Sequence, residues 1–88
     1  MSIETKMIQL VNNLLEEKNI NAVATSTETR MDFLGLERYD LVKLDFDIDL
    51  TFNITTVMSE ISNCKTVGDL VEIVKKELEL NRRLKNVK

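Results

Sequence analysis

Two stretches of the chain, one near each end, carry apolar residues at helical spacing. Residues 3 to 18 place apolar side chains three and four positions apart, which is typical of an amphipathic helix. Ser2 is a suitable N-cap for that helix, and Glu4 favours its first turn. Thr66 and Asp69 have the spacing of a capping box, which predicts the start of a last helix. The apolar stripe of that helix is Val67, Leu70, Val71, Val74 and Leu78.

The middle of the chain, residues 37 to 54, fits two incompatible patterns. From Leu44 to Ile54 apolar and polar residues alternate strictly, which is typical of a strand. The same residues also fit a helix, whose wide apolar face we expect to be buried on more than one side. The two apolar stripes of that helix are Leu41, Leu44, Ile48 and Phe52, and beside them Val42, Phe46 and Leu50. The residue pattern alone leaves the strand and the helix open.

The segment between the first helix and this middle stretch is predicted to be a long loop. Residues 19 to 36 are polar for much of their length and lack a helical stripe. Gly35 allows the backbone to turn before the next element. The apolar residues at the end of the loop are expected to pack under the other elements: Phe33, Leu34 and Leu36.

Composition favours one small helical domain that covers residues 1–88. The 88 residues include no proline and two glycines, and the core must be mostly aliphatic because only four residues are aromatic. Thr55 and Thr56 are candidates to cap a short helical turn over residues 57 to 61.

Charge and residue types exclude several functions. The net charge of −3 and the pI near 4.9 argue against a nucleic-acid partner, which needs a basic surface. The chain has no histidine and only one cysteine, Cys64, which removes the usual general base, a disulfide and most metal sites. No apolar run approaches the roughly 20 residues of a membrane span, and the first residues lack a secretory signal. We therefore expect an acidic cytoplasmic protein that is not an enzyme and binds no metal, membrane or nucleic acid.

Three aspartates in the middle segment have the spacing of a metal or an acid–base site. Asp45, Asp47 and Asp49 have the spacing of the first ligands of an EF-hand loop. Leu50 follows where that loop needs glycine, and Thr56 stands where it needs glutamate. Asp45 and Asp49 are also four positions apart, as a helical acid–base pair would be. We expect an exposed acidic face instead of either site.

The segment from Leu34 to Leu44 carries a resemblance to a known family. It reads Leu-Gly-Leu-Glu-Arg-Tyr-Asp-Leu-Val-Lys-Leu. This resembles the start of the second helix in acyl carrier proteins, which usually reads Leu-Gly-x-Asp-Ser-Leu-Asp-x-Val-Glu-Leu. Phe52-Asn53 and the segment from Thr66 to Leu70 match later family motifs in the right order, so the resemblance covers nearly the whole chain. It implies an all-α four-helix bundle, with three longer helices and one short one. The middle segment is then helical through about Leu50.

The resemblance also implies a chemistry whose essential side chain is missing. In the family, the serine of this motif carries 4'-phosphopantetheine, and its hydroxyl is the phosphoryl acceptor. Arg38 occupies that position, and a protonated guanidinium has no oxygen with which to accept the group. Tyr39 has a hydroxyl but occupies a core leucine position of the family, so its ring is expected to point inward.

We therefore expect an acyl-carrier-protein-like bundle that binds no cofactor and acts through a protein partner, such as an enzyme of acyl or metabolite synthesis. The residues of the second helix expected to bind that partner are Glu37, Arg38, Asp40, Lys43 and Asp47. Two alternatives stay open. One is a genuine acyl carrier protein of fatty acid or secondary metabolite synthesis, whose phosphopantetheine serine is replaced by Arg38 in this variant. The other is a structural or regulatory subunit of α+β fold, in which residues 44 to 54 form a strand.

Overall fold

The chain folds into a helical bundle in which three long helices are joined by loops and one short helix. The computed structural model describes residues 2–86, and within them it contains four α-helices and one 3₁₀ helix. Their bounds are α1, Ile3–Glu17; the 3₁₀ helix, Met31–Leu34; α2, Arg38–Phe52; α3, Met58–Ser62; and α4, Val67–Asn86. These described residues include no strand, and a single isolated bridge joins Arg30 to Thr66. The predicted all-α bundle is confirmed, and the α+β alternative is wrong.

Both outer helices begin at the predicted caps. The Thr5 N–H donates to Ser2 Oγ at 3.1 Å, which satisfies a free donor in the first turn of α1. At α4 the Asp69 N–H donates to Thr66 Oγ1, and the Thr66 N–H donates to Asp69 Oδ2, both at 3.2 Å. This reciprocal pair is a capping box closed by aspartate instead of the longer glutamate.

The core lies where the three long helices meet. α1 packs against both α4 and α2, and α2 packs against α3. Fully burying each aliphatic side chain contributes about 1.5–3 kcal/mol, so this aliphatic core supplies the main stabilising term. None of the described helices is long and apolar enough to cross a membrane. The most deeply buried side chains are Met7, Val11, Leu15, Leu34, Leu44, Ile48, Ile61, Val67, Leu70 and Val74.

The alternating segment is helical because its residues four apart enter the core. Leu44 and Ile48 lie on one face of α2 and are both completely buried. The C-cap of α2 is Asn53, which adopts the left-handed conformation at φ 55° and donates its N–H to the Asp49 carbonyl. The expected burial on more than one side is wrong, because Phe46 and its neighbours on the opposite face stay exposed.

The long loop is held against the start of α4 by backbone hydrogen bonds. The Met31 N–H donates to the Lys65 carbonyl at 2.8 Å, and the Gly68 N–H donates to the Thr27 carbonyl at 2.7 Å. A Cβ at Gly68 would lie 3.0 Å from that same Thr27 oxygen, so a larger residue would push this backbone contact apart by a few tenths of an ångström. The loop therefore follows a fixed path beside α4.

The end of the loop only partly matches its prediction. Leu34 is completely buried and Leu36 is half-buried, as expected. Phe33 is 74% exposed, so its predicted packing under the bundle is wrong. In the 3₁₀ helix, Met31 and Leu34 share the inner face because they are three residues apart, and Phe33 is directed outward.

The short helix α3 does not use the predicted threonine caps. Its N-cap residue is Val57, which makes no side-chain capping hydrogen bond. Thr56 instead directs its hydroxyl towards two aspartates of α2, as described below. The threonine in this connection therefore serves the contact between α2 and the following loop.

Candidate partner-binding surface

The chain enters α2 through a tight turn that fixes the position of Arg38. Gly35 adopts the left-handed conformation at φ 73°, which ends the 3₁₀ helix. Glu37 is the extended N-cap of α2, and its N–H donates to Asp40 Oδ2 at 3.0 Å. Arg38 is therefore the first residue of α2, and its side chain is exposed.

Asp40 is a buried charge that joins α2 to the end of α1. The residue is 3% exposed, and its Oδ1 lies 3.1 Å from the Lys18 ammonium nitrogen. The Glu37 N–H, and then the Lys18 ammonium, hold the pKa of Asp40 below its ordinary value. Asp40 in turn raises the pKa of Lys18 above its ordinary value. Asp40 is the predicted site residue that is not available to contact a partner.

Tyr39 lies on the outside of the bundle, and its predicted inward orientation is wrong. The residue is 61% exposed. The Lys18 ammonium nitrogen lies 4.4 Å from the centre of the Tyr39 ring and donates to the Tyr39 hydroxyl at 3.3 Å. The Tyr39 ring points to solvent because five helical positions separate it from the buried Leu44. This spacing places the two residues on different sides of α2.

The exposed Arg38 does not fit an attached phosphopantetheine arm. Its guanidinium has five N–H donors and no hydroxyl that can form a phosphodiester. Within residues 2–84, its side chain forms no ion pair. The next residue, Tyr39, has a hydroxyl, which accepts a hydrogen bond from Lys18. The first turn of α2 therefore presents a free cation.

An apolar stripe runs along the solvent side of α2. Tyr39, Val42, Phe46 and Leu50 are 61%, 53%, 62% and 67% exposed. We call these four residues the outer stripe. Their spacing of three and four positions places them on one helical face, opposite Leu44 and Ile48. Val42, Phe46 and Leu50 were visible in the sequence as the second apolar stripe of the middle segment. They were predicted to be buried, whereas the structure exposes them.

Charged side chains border the outer stripe on both flanks. On the α1 side the Lys43 ammonium lies 3.2 Å from Asp47 Oδ2 and 3.8 Å from Glu17 Oε2. On the other flank lie Arg38 and, further along α2, Asp49. The structure thus brings the predicted residues Lys43 and Asp47 together and leaves Arg38 on the opposite side of the outer stripe.

The predicted exposed acidic face of Asp45 and Asp49 is wrong, because both residues are half-buried around Thr56. The Thr56 N–H donates to Asp49 Oδ1 at 3.0 Å, and the Thr56 hydroxyl contacts Asp45 Oδ1 and Asp49 Oδ1. Asp47 turns away to Lys43 instead. The three carboxylates therefore do not converge, and no group of three or more metal-ligating side chains occurs in the part of the chain that the structure describes.

Cys64 lies in a small groove between the 3₁₀ helix, α2 and α3. The groove has a volume of about 200 Å³ and is also lined by Met31, Leu36, Leu41 and Ser62. Burial, and then the charges of Asp69 and Glu60, raise the pKa of the Cys64 thiol to about 11. The thiol donates to the Glu60 carbonyl at 3.3 Å. Cys64 is therefore almost entirely protonated at neutral pH and is a poor nucleophile.

Comparison with known proteins identifies the architecture. No protein-family model matches the chain, and no curated protein matches it. Among solved structures, the crystal structure of an acyl carrier protein from Thermotoga maritima is similar, with 28% sequence identity and a TM-score of 0.67. The match covers 85% of this chain and 89% of that chain. With three long helices and one short helix in the same bundle, this protein has an acyl-carrier-protein-like fold.

Proposed function

We propose that this protein is a non-catalytic, carrier-protein-like bundle that binds a protein partner through α2 and carries no phosphopantetheine arm. The observation that supports the proposal is Arg38 at the first position of α2, exposed and without the hydroxyl that the arm requires. The absence of histidine from the sequence supports a binding role over catalysis. An enzyme of acyl or metabolite synthesis in the cytoplasm is the proposed class of partner.

The proposed contact surface combines the outer stripe with the charges at its borders. Exposed apolar side chains bordered by charged groups are typical of protein interfaces. Glu37, Arg38, Lys43 and Asp47 contribute the polar border, and Asp40 supports it from inside by holding Lys18. Arg38 adds a permanent positive charge to the positive end of the α2 dipole. The partner is therefore expected to offer an anionic group beside an apolar patch.

The absence of the arm is tested by mass spectrometry. The protein is incubated with coenzyme A and a broad-specificity phosphopantetheinyl transferase, and its intact mass is measured. We expect no change in mass, because Arg38 cannot accept the phosphoryl group. A gain equal to one phosphopantetheine arm would refute the proposal, and peptide mapping would then show whether Tyr39 is the acceptor. An established acyl carrier protein in the same reaction controls for transferase activity.

The role of α2 is tested with charge and apolar variants. A partner captured from the source cell is identified, purified and titrated against Arg38→Glu, Phe46→Asp and the matched control Lys6→Glu, which changes an exposed cation on α1. Both α2 variants are expected to weaken binding tenfold or more, by about 1.4 kcal/mol. Equal binding by all three variants would place the partner site elsewhere on the molecule.

A second candidate function is a genuine acyl carrier protein in which the serine is replaced by Arg38. One observation favours it: Arg38 is exposed and forms no ion pair within residues 2–84, so the fold does not depend on it. Arg38→Ser is then expected to accept the arm and to be loaded with an acyl group. Failure of that variant with several transferases would count against this candidate. If a strain that lacks this protein is rescued by the chain with Arg38 unchanged, that result would favour our proposal.

A further inference from the structure

The outer stripe is an exposed apolar face. Its residues are spaced almost symmetrically along α2 on either side of the level of Leu44. We propose that two copies of this chain associate through α2, with the helices antiparallel and the outer stripes face to face. This inference does not rest on the proposed function, because it concerns the isolated chain. Both use the outer stripe, so a protein partner and a second copy would compete for it.

The apolar residues pair across a two-fold axis at the level of Leu44. Val42 and Phe46 lie two positions on either side of Leu44, so Val42 of one copy faces Phe46 of the other. Tyr39 and Leu50 lie five and six positions away, so they also face one another to within one residue, or about 1.5 Å. A single antiparallel arrangement therefore pairs every member of the outer stripe with an apolar residue.

The charged residues pair in the same register. In this arrangement each flank of α2 lies beside the same flank of the second copy, running in the opposite direction. Arg38 lies six positions before Leu44 and Asp49 five positions after it, so the cation of one copy meets the carboxylate of the other. On the second flank, Lys43 lies within about two helical positions, or about 3 Å, of Asp47 of the other copy. Arg38 thus gains a carboxylate partner, and the Lys43–Asp47 ion pairs of the two copies, each formed within its own chain, lie side by side.

Charge also selects the direction of the pair. Parallel helices in register would bring opposite flanks together. Asp49 would then lie about two helical positions, or about 3 Å, from Asp47 of the other copy. The nearest charged residue to Arg38 on that flank would be Lys43, so like charges would oppose one another. Antiparallel helices replace these repulsions with attractions and also oppose the two helix dipoles favourably. The charge pattern of α2 therefore favours the antiparallel pair over the parallel one.

The available area fits a weak, concentration-dependent dimer. An aromatic side chain buries about 150–250 Å², so Tyr39 and Phe46, at 61% and 62% exposed, can each lose about 100–150 Å². With Val42, Leu50 and the flanking charges, two copies together bury about 1,000 Å², which is near the lower limit for a specific interface. We therefore expect a dimer that dissociates on dilution.

Sedimentation equilibrium of the purified full chain tests the association. The apparent mass is expected to rise from the 10.2 kDa of one chain towards twice that value as concentration increases. Added salt should weaken the dimer because charge pairs contribute to it. A mass that stays at one chain throughout a concentration series up to about 1 mM, where even a weak complex is populated, would overturn the proposal.

Surface variants identify the interface without disturbing the core. Phe46→Asp and Arg38→Glu change exposed side chains, and circular dichroism checks that each variant is folded. Phe46→Asp is expected to abolish the dimer, and Arg38→Glu to weaken it at least tenfold. Lys6→Glu, the same charge change on α1, should leave it intact. A dimer that persists in Phe46→Asp would overturn the assignment to the outer stripe.

Cross-linking tests the direction of the helices. Two chains are made in a Cys64→Ser background, one with Tyr39→Cys and one with Leu50→Cys, and they are mixed and oxidised. Antiparallel pairing predicts a mixed disulfide between the two different chains, which mass spectrometry distinguishes from disulfides between identical chains. In that arrangement the two copies of position 39 are separated by about 15 Å along the axis. Cross-links mainly between identical chains would overturn the antiparallel pair.

Discussion

Substitution by alanine should have different effects on the two apolar faces of α2: a large loss of stability on the inner face and almost none on the outer face. Leu44 is completely buried, so Leu44→Ala removes apolar groups worth about 2–3 kcal/mol and leaves a cavity. The cavity brings the expected loss in unfolding free energy to about 3–5 kcal/mol. A chain of 88 residues has a total stability of about 4–13 kcal/mol, so this one change removes a large share of it.

Phe46→Ala, two residues further along the same helix, should be almost neutral. Phe46 is 62% exposed, so the loss of its remaining contacts amounts to about 1 kcal/mol. Alanine has a higher helix propensity than phenylalanine, which stabilises the variant by about 0.5 kcal/mol. The net change is expected to be about 0.5 kcal/mol, so the two variants should differ by at least about 2.5 kcal/mol.

Urea denaturation followed by circular dichroism measures both variants. The titrations are run at low protein concentration, so that association through the outer stripe does not contribute. At about 4–8 °C per kcal/mol, the melting temperature should fall by about 12 °C or more for Leu44→Ala and by a few degrees for Phe46→Ala. Equal losses in the two variants, or a larger loss for Phe46→Ala, would show that the inner and outer faces of α2 are misassigned.

Three further predictions concern polar groups. Thr56→Val removes the hydroxyl shared by two aspartates and should cost about 1–3 kcal/mol in urea titrations, whereas Thr56→Ser should cost less than about 1 kcal/mol. The pKa of Asp40 lies below its ordinary value of 3.8, so the stability it contributes is present above that value and is lost as pH falls through the lower folded-state pKa. Asp40→Asn should therefore make the loss of stability below about pH 4 shallower, and an unchanged acid profile would contradict the Asp40 contacts. With its pKa raised from 9.0 to about 11, Cys64 should react with a disulfide reagent at pH 8 about tenfold more slowly in the folded protein than in urea, because its thiolate fraction falls about a hundredfold while the remaining thiolate is about tenfold more nucleophilic. Equal rates in the two states would contradict its burial.

The helices were predictable from sequence because their signals are local. The stripes of α1 and α4 recur at helical spacing, and Ser2 and Thr66 cap them within three residues. The helical state of α2 was not decided by its own residues, whose alternation fits a strand equally well. It followed from the resemblance of residues 34 to 44 to a helical family, which carries information about packing that spacing alone lacks.

The site was less predictable, because its geometry depends on residues far apart in sequence. Nothing near Asp40 indicates burial, since the cation that accompanies it is Lys18, at the end of another helix. The two stripes of α2 are similarly apolar, and only the positions of α1 and α3 decide that Leu44 is inside and Phe46 outside. Positions 38 to 47 were correctly placed on one helix, but their division between interior and surface required the tertiary structure.

The hydrogen bond between the Met31 N–H and the Lys65 carbonyl joins the two ends of the segment that contains α2 and α3. Residues 32 to 64 therefore leave the scaffold of α1 and α4 and return to it at one place. A replacement segment whose ends are equally close together can start and finish at these two residues without stretching the chain. An α2–α3 segment that keeps the core-facing Leu44 and Ile48 and the Asp40 partner of Lys18 can thus be placed between residues 31 and 65 as one unit, so that outward-facing residues of α2 are compared on the same support.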